Sequence, residues 1–255
     1  MLRLAANLTF LFTELPMLER FAAARRAGFD GVEVLFPYDL AAKDLAAACQ
    51  AAGLEFVLLN TPPPNWSGGP RGFAATPGGE DRFRRDFDRS LRFAQALRSR
   101  HLHVMAGKAE GPTALRTLVD NLKWACERAP HASLLIEPIN TRDRPNYFLN
   151  RIEQAADIIG KVGRPNVKIQ FDFYHVQIVS GDLIKRFEAH QPLVGHVQIA
   201  AVPTRAEPDE GEINYPAVFE ALDRFGWSGW TACEYKPRAR TEDGLGWGRK
   251  YGLGG

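Results

Sequence analysis

Cysteine is scarce in this chain of 255 residues: Cys49, Cys126 and Cys233 are the full set, far apart and odd in number. No CxxC pair exists, which argues against a disulfide framework and a cysteine zinc site. Buried, reduced thiols in a soluble cytoplasmic protein are the expectation. Charge of one sign is also lacking. A net charge of +2 gives no electrostatic footprint for nucleic acid or an anionic membrane. No apolar run approaches the roughly 20 residues of a membrane span. The opening LRLAANLTFLFTELP is apolar, but Asn7 and Thr9 interrupt it, only Arg3 precedes it, and no clear cleavage site follows. Glycine is missing from LTFLFTELP, where a doubly wound dinucleotide-binding sheet would want a glycine-rich phosphate turn.

What is present is a rhythm. Short apolar runs alternate with amphipathic stretches, the pattern of repeated β-α units on a parallel sheet. Strands are expected at 2–10, 31–36, 54–60, 101–107, 133–139, 166–172, 193–200 and 229–235. Helices fall between them, one opened by Pro16 and stopped by Gly28, another starting at Ser180 or Asp182. Eight such units over residues 1–255 predict a single-domain α/β protein, a (β/α)8 TIM barrel. The stretch 61–79, with five prolines and five glycines, breaks the rhythm. Trp66, Phe73 and Arg71 mark it as a lid-like loop. The tail 236–255 has no helical period and is expected to be irregular; it either covers the barrel or meets a neighbouring subunit in a homo-oligomer.

The chemistry is carried by SLLIEPIN, VKIQFDFYH, GHVQIA and WTACEY, which end in Glu137, Asp172, Gln198 and Glu234. Side chains alternate across a strand. Val167, Ile169 and Phe171 therefore share the helix-facing side of their strand, and Gln170 and Asp172 point into the barrel. The same alternation turns Glu137, Gln198 and Glu234 inward at C-terminal strand ends, where barrel enzymes place their chemistry. Three carboxylates and an amide brought together dry would force protons back on. A divalent cation resolves the conflict, and an all-oxygen shell suits Mg²⁺ or Mn²⁺.

Together, IEPINTRDRPNYFL, FDFYHVQIVSGDL, GHVQIAAVPTRAEPDEGEINY and CEYKP followed by GLGW resemble the hydroxypyruvate isomerase family, including its 2-oxo-tetronate isomerase branch. That family lies within the xylose-isomerase-like barrels. The resemblance extends through HVMAGK and GGPRGFAATPG to nearly the whole chain. It implies an isomerase without an organic cofactor, acting on a small 2-oxo acid or sugar acid through an enediol. It also implies that Glu137 and Glu234 are the catalytic acid/base pair and hold the metal with Asp172. Gln198 stands where epimerase relatives carry a metal-binding histidine, which argues against a ketose 3-epimerase. A non-catalytic metabolite-binding barrel and a phosphodiester-cleaving endonuclease are the other readings; the latter wants several histidines at strand ends. His175 is expected to bond a substrate oxygen and Arg205 to clamp the substrate carboxylate, with Lys108 and Arg71 as further substrate-binding candidates.

Overall fold

Each of the eight expected strands forms, and each is shorter than its apolar run. In the computed structural model, which describes residues 2–61 and 71–254, they are β1 (Arg3–Asn7), β2 (Gly31–Glu33), β3 (Glu55–Asn60), β4 (His101–His103), β5 (Ser133–Ile136), β6 (Val167–Asp172), β7 (Val194–Ile199) and β8 (Trp230–Cys233). All neighbours pair in parallel, and β1 pairs with β8, so the sheet is a closed (β/α)8 TIM barrel. The missing ends lie mostly at the C-terminal mouth, where strands leave the ladder for the loops that carry the site.

The helices ring this barrel: α1 (Met17–Arg26), α2 (Ala42–Ala51), α3 (Glu80–Leu97), α4 (Gly111–Arg128), α5 (Ile152–Val162), α6 (Phe173–Val179), α7 (Leu183–His190) and α8 (Tyr215–Arg224). The sequence pattern did not show α6. Asp172 ends β6 and caps α6 by accepting the Tyr174 backbone N–H at 2.8 Å, so strand and helix join with no loop between them. No helix among the described residues is long and apolar enough to cross a membrane.

The tail departs from expectation. Instead of an irregular segment, Thr241–Tyr251 is a 3₁₀ helix standing where the last barrel helix belongs. Trp247 stacks on Phe219 of α8, Tyr251 meets the same ring edge-on, and Gly254 donates to the Ala27 carbonyl beyond α1. The tail therefore covers the barrel wall. Of the expected lid, residues 62–70, Trp66 among them, lie outside the described residues. The 71–79 half is pinned to the segment after β4: the Ala75 backbone N–H donates to the Ala106 carbonyl at 2.8 Å.

Side-chain alternation sorts two cores. Val167, Ile169 and Phe171 join the large cluster between sheet and helices. Ala5, Val57, Leu58, Leu135, Trp230 and Ala232 form a separate cluster. Trp230, the first residue of β8, plugs the N-terminal end of the lumen. Gly31 makes room for it, since a Cβ there would stand 2.8 Å from the indole and 2.9 Å from Val57. Above this plug the lumen turns polar, with Asn7, Glu33, His103, Gln170, Asp172, His196 and Gln198 all buried.

Candidate active site

The four strand-end residues do meet at the barrel mouth. Asp172 and Gln198 are direct neighbours across the β6–β7 ladder. Glu137 and Glu234 each follow the last residue of a strand, and the Glu234 N–H still bonds the Ile199 carbonyl at 3.2 Å. Their exposures of 5% (Glu137), 1% (Asp172), 0% (Gln198) and 5% (Glu234) leave the carboxylates little solvent to carry their charge.

Burial, then the charges of Glu234 and Asp172, push Glu137 well above the ordinary carboxylate range. Burial raises Glu234 to about 8, against the pull of Arg205. Asp172 rises to about 6 for the same first reason, with Arg205 and two backbone N–H groups opposing. Arg205 is thus the counter-charge of the cluster. Its Nη2 lies 3.3 Å from Glu234 Oε1 and its Nη1 3.4 Å from Asp143 Oδ2. The guanidinium sits over the rings of Tyr174 (4.7 Å) and Phe10 (5.3 Å). Its backbone has φ = 55°, a left-handed conformation that a non-glycine residue keeps only where the surroundings hold it.

His175, in the first turn of α6, faces the carboxyls. Its Nε2 is 3.5 Å from Asp172 Oδ2 and 3.8 Å from Glu137 Oε1. The other ring nitrogen meets the Asn140 amide at 2.6 Å. Burial pulls His175 well below the ordinary imidazole range, so it is neutral. Over this floor lies a cavity of about 60 Å³. Glu137, Glu234 and His175 line its base, and Arg71, Arg144 and Arg205 line it as well. A larger hollow of about 390 Å³ between Phe219, Trp247 and Tyr251 touches none of these groups.

Two expected site residues are placed differently from the rest. Lys108 is exposed and outside the cavity; its backbone bridges to Tyr147, because the chain turns away after β4 ends at His103. Gln198 is in the cluster, but its amide is engaged: Nε2 donates to Glu33 Oε1 at 2.7 Å and Oε1 accepts from Gln170 at 2.6 Å.

Glu33 is the main residue that sequence reasoning missed. It ends β2, is fully buried, and accepts from Asn7 (2.7 Å) as well as Gln198, with His196 Nε2 2.9 Å away. Burial raises it to about 7, with the Gln198 and Asn7 bonds opposing. The alternation Val32–Glu33–Val34 carried the signal, since a lone charge between two helix-facing valines must point inward. Asn140, Asp143 and Arg144 were also missed; all sit in the loop after β5, where no periodicity points to them.

The donor set suits a divalent cation. Oxygens of Glu137 and Asp172 lie within 4.8 Å of each other and of a His175 ring nitrogen. Glu137 Oε1 is buried with no hydrogen-bond partner among the described residues, an oxygen that a cation would satisfy.

Comparison with known proteins agrees with this geometry. Residues 21–251 match the family model described as xylose isomerase-like TIM barrel. A 2-oxo-tetronate isomerase of Cupriavidus necator is 47% identical over 98% of both chains. The hydroxypyruvate isomerase of Escherichia coli is 40% identical over 98% of this chain and 100% of its own. Among solved structures, an AP endonuclease, family 2, from Brucella melitensis superposes with a TM-score of 0.96 at 46% identity, covering 98% of this chain and 99% of the other. The chain belongs to the xylose isomerase-like TIM barrel family.

Proposed function

We propose that the chain is an isomerase that shifts a proton between adjacent carbons of a small α-hydroxy carbonyl acid. Hydroxypyruvate going to tartronate semialdehyde, or a 2-oxo-tetronate going to its isomer, is the reaction class. The observation that carries this reading is the buried pair Glu137 and Glu234, both of raised proton affinity, on one small cavity that arginines also line. The names of close full-length relatives support it.

The chemistry assigns each group a task. One of the two glutamates, ionised, removes the carbon-bound proton and leaves an enediolate; its partner, protonated, returns a proton to the neighbouring carbon. Without a cation, burial raises Glu234 to about 8, so the site itself favours the protonated carboxyl near neutral pH. A second proton must pass from the hydroxyl to the carbonyl oxygen, and His175 Nε2 faces the same spot. Glu137, Asp172 and Glu234 would hold a divalent cation, joined by Gln198 once its oxygen leaves Gln170. Such a cation, Mg²⁺ or Mn²⁺ by the hardness of the donors, supplies Lewis-acid charge against the enediolate when bound.

The substrate's own carboxylate belongs at the arginines. Arg205 is already paired with Glu234 and Asp143. Arg71 and Arg144 line the same cavity and form no salt bridge among the described residues. An acid fits this charge pattern better than a neutral ketose. The cavity is also far below the roughly 300–1,000 Å³ of a drug-sized site, which disfavours a nucleotide.

A turnover screen tests the proposal. Hydroxypyruvate, 2-oxo-tetronates and free ketoses are supplied with Mg²⁺ or Mn²⁺ separately. Turnover of the acids is expected; turnover confined to tagatose or fructose would replace this reading with an epimerase.

A further inference from the structure

The surroundings of His175 decide where its ring proton sits. Two donors converge on Nδ1: the Asn140 side-chain Nδ2 at 2.6 Å and the Asn140 backbone N–H at 3.4 Å. The Asn140 amide cannot be turned round to present its oxygen instead. Its Oδ1 accepts the backbone N–H of Asp143 at 2.8 Å, a group that can only donate. Its Nδ2 lies 3.2 Å from Asp143 Oδ2, which as a carboxylate can only accept. A proton on Nδ1 would therefore meet donors head-on. Nδ1 must offer its lone pair, and the proton belongs on Nε2, which faces Asp172 and Glu137.

We propose that Asn140 is a positioning residue that locks His175 as the Nε2–H tautomer, making it a hydrogen-bond donor at the carboxyl cluster and barring it from metal ligation. Ligation through Nε2 needs a free lone pair there, and this arrangement places a proton on it. The cation then draws on carboxylate and amide oxygens alone. His175 stays available to donate to an oxygen held in the cavity; that last role rests on the isomerase reading above, whereas the tautomer does not. A backbone group sets the device. Asp143 orients Asn140 through its N–H, so the side chain of Asp143 is dispensable for it.

The test is a two-bond ¹H–¹⁵N correlation spectrum of the uniformly ¹⁵N-labelled full chain, with chelator and again with Mg²⁺. His175 is assigned by its loss in His175→Asn. The expected native spectrum shows a pyrrole-type, protonated Nε2 and a pyridine-type Nδ1 in both conditions. Asp143→Asn should give the same pattern, since the backbone N–H remains. Asn140→Asp swaps a donor for an acceptor and should move the proton to Nδ1. Its kcat on a turned-over acid should fall roughly tenfold or more, the worth of one hydrogen bond to a charged group, with KM changed far less. A native His175 protonated on Nδ1 overturns the proposal. So does an Asn140→Asp protein that keeps the proton on Nε2, or an Asp143→Asn protein that loses it. If Asn140→Asp does not fold, the native and Asp143→Asn spectra still decide. The spectra need no substrate, so failure to turn over any 2-oxo acid would sink the isomerase reading and leave the tautomer standing.

Discussion

Arg205 and Glu234 form an ion pair, Nη2 to Oε1 at 3.3 Å, between a loop residue after β7 and the residue following β8. The same guanidinium holds Asp143 of the loop after β5, so one cation ties three βα loops over the carboxyl cluster. This charge balance sets what the site can do. It keeps Glu234 from rising further, and under the proposed function it leaves Arg71 and Arg144 to meet the substrate's carboxylate.

Replacing either glutamate with its amide removes a proton acceptor while keeping the shape. Glu137→Gln and Glu234→Gln should each lower kcat by about 10²–10⁴-fold, the usual worth of a general acid or base. Circular dichroism and KM should change little. Full activity in both variants would contradict the proposed roles.

Arg71→Met and Arg144→Met should act on binding. Each should raise KM for a 2-oxo acid by about tenfold, equivalent to about 1.4 kcal/mol, with kcat nearly kept. Steady-state kinetics at varied substrate checks this. An unchanged KM in the double variant would return the clamp to Arg205.

The raised carboxyls make stability depend on pH in a signed way. Folded Glu33 and Glu234 titrate near 7 and 8, against an ordinary 4.5. His101, His103 and His196, pulled by burial to about 3, are neutral when folded and lose their charge when unfolded by about pH 7. From about pH 7 to about 9 the folded state therefore sheds carboxyl protons that the unfolded chain has already lost, and stability falls as pH rises. The carboxyl contribution is complete below the ordinary value and disappears through 7 and 8. Thermal melts in chelator should show Tm falling across this window. A divalent cation should flatten the slope, because the carboxylates it holds are then ionised in both the folded and the unfolded state. A Tm that rises with pH in chelator would show that these groups are not protonated when folded.

Gly31→Ala tests the plug at the other end of the lumen. The added methyl would meet the Trp230 ring at 2.8 Å, a contact that must be relieved by moving a side chain packed in the lumen. A loss of about 1–3 kcal/mol in chemical denaturation is expected, as for other overpacked cores.

The strand count, the barrel and the inward face of each strand near the site could be read from the order of residues alone. The reason is local: a strand's side chains alternate, so Val167, Ile169 and Phe171 place Asp172 in the lumen without reference to any other part of the chain. The sequence also announced Glu137 and Glu234, because a charge ending an apolar run stands out. Glu33 was legible by the same rule. The pairing of distant groups emerges only once the chain is folded. Gln198 with Glu33, Arg205 with Glu234 and Asn140 with His175 are contacts across strands and loops, and no period in the chain encodes them. Nor could it show that the tail forms a 3₁₀ helix on the barrel wall, since glycine-rich sequence takes its conformation from what it packs against, here Phe219 and the end of α1.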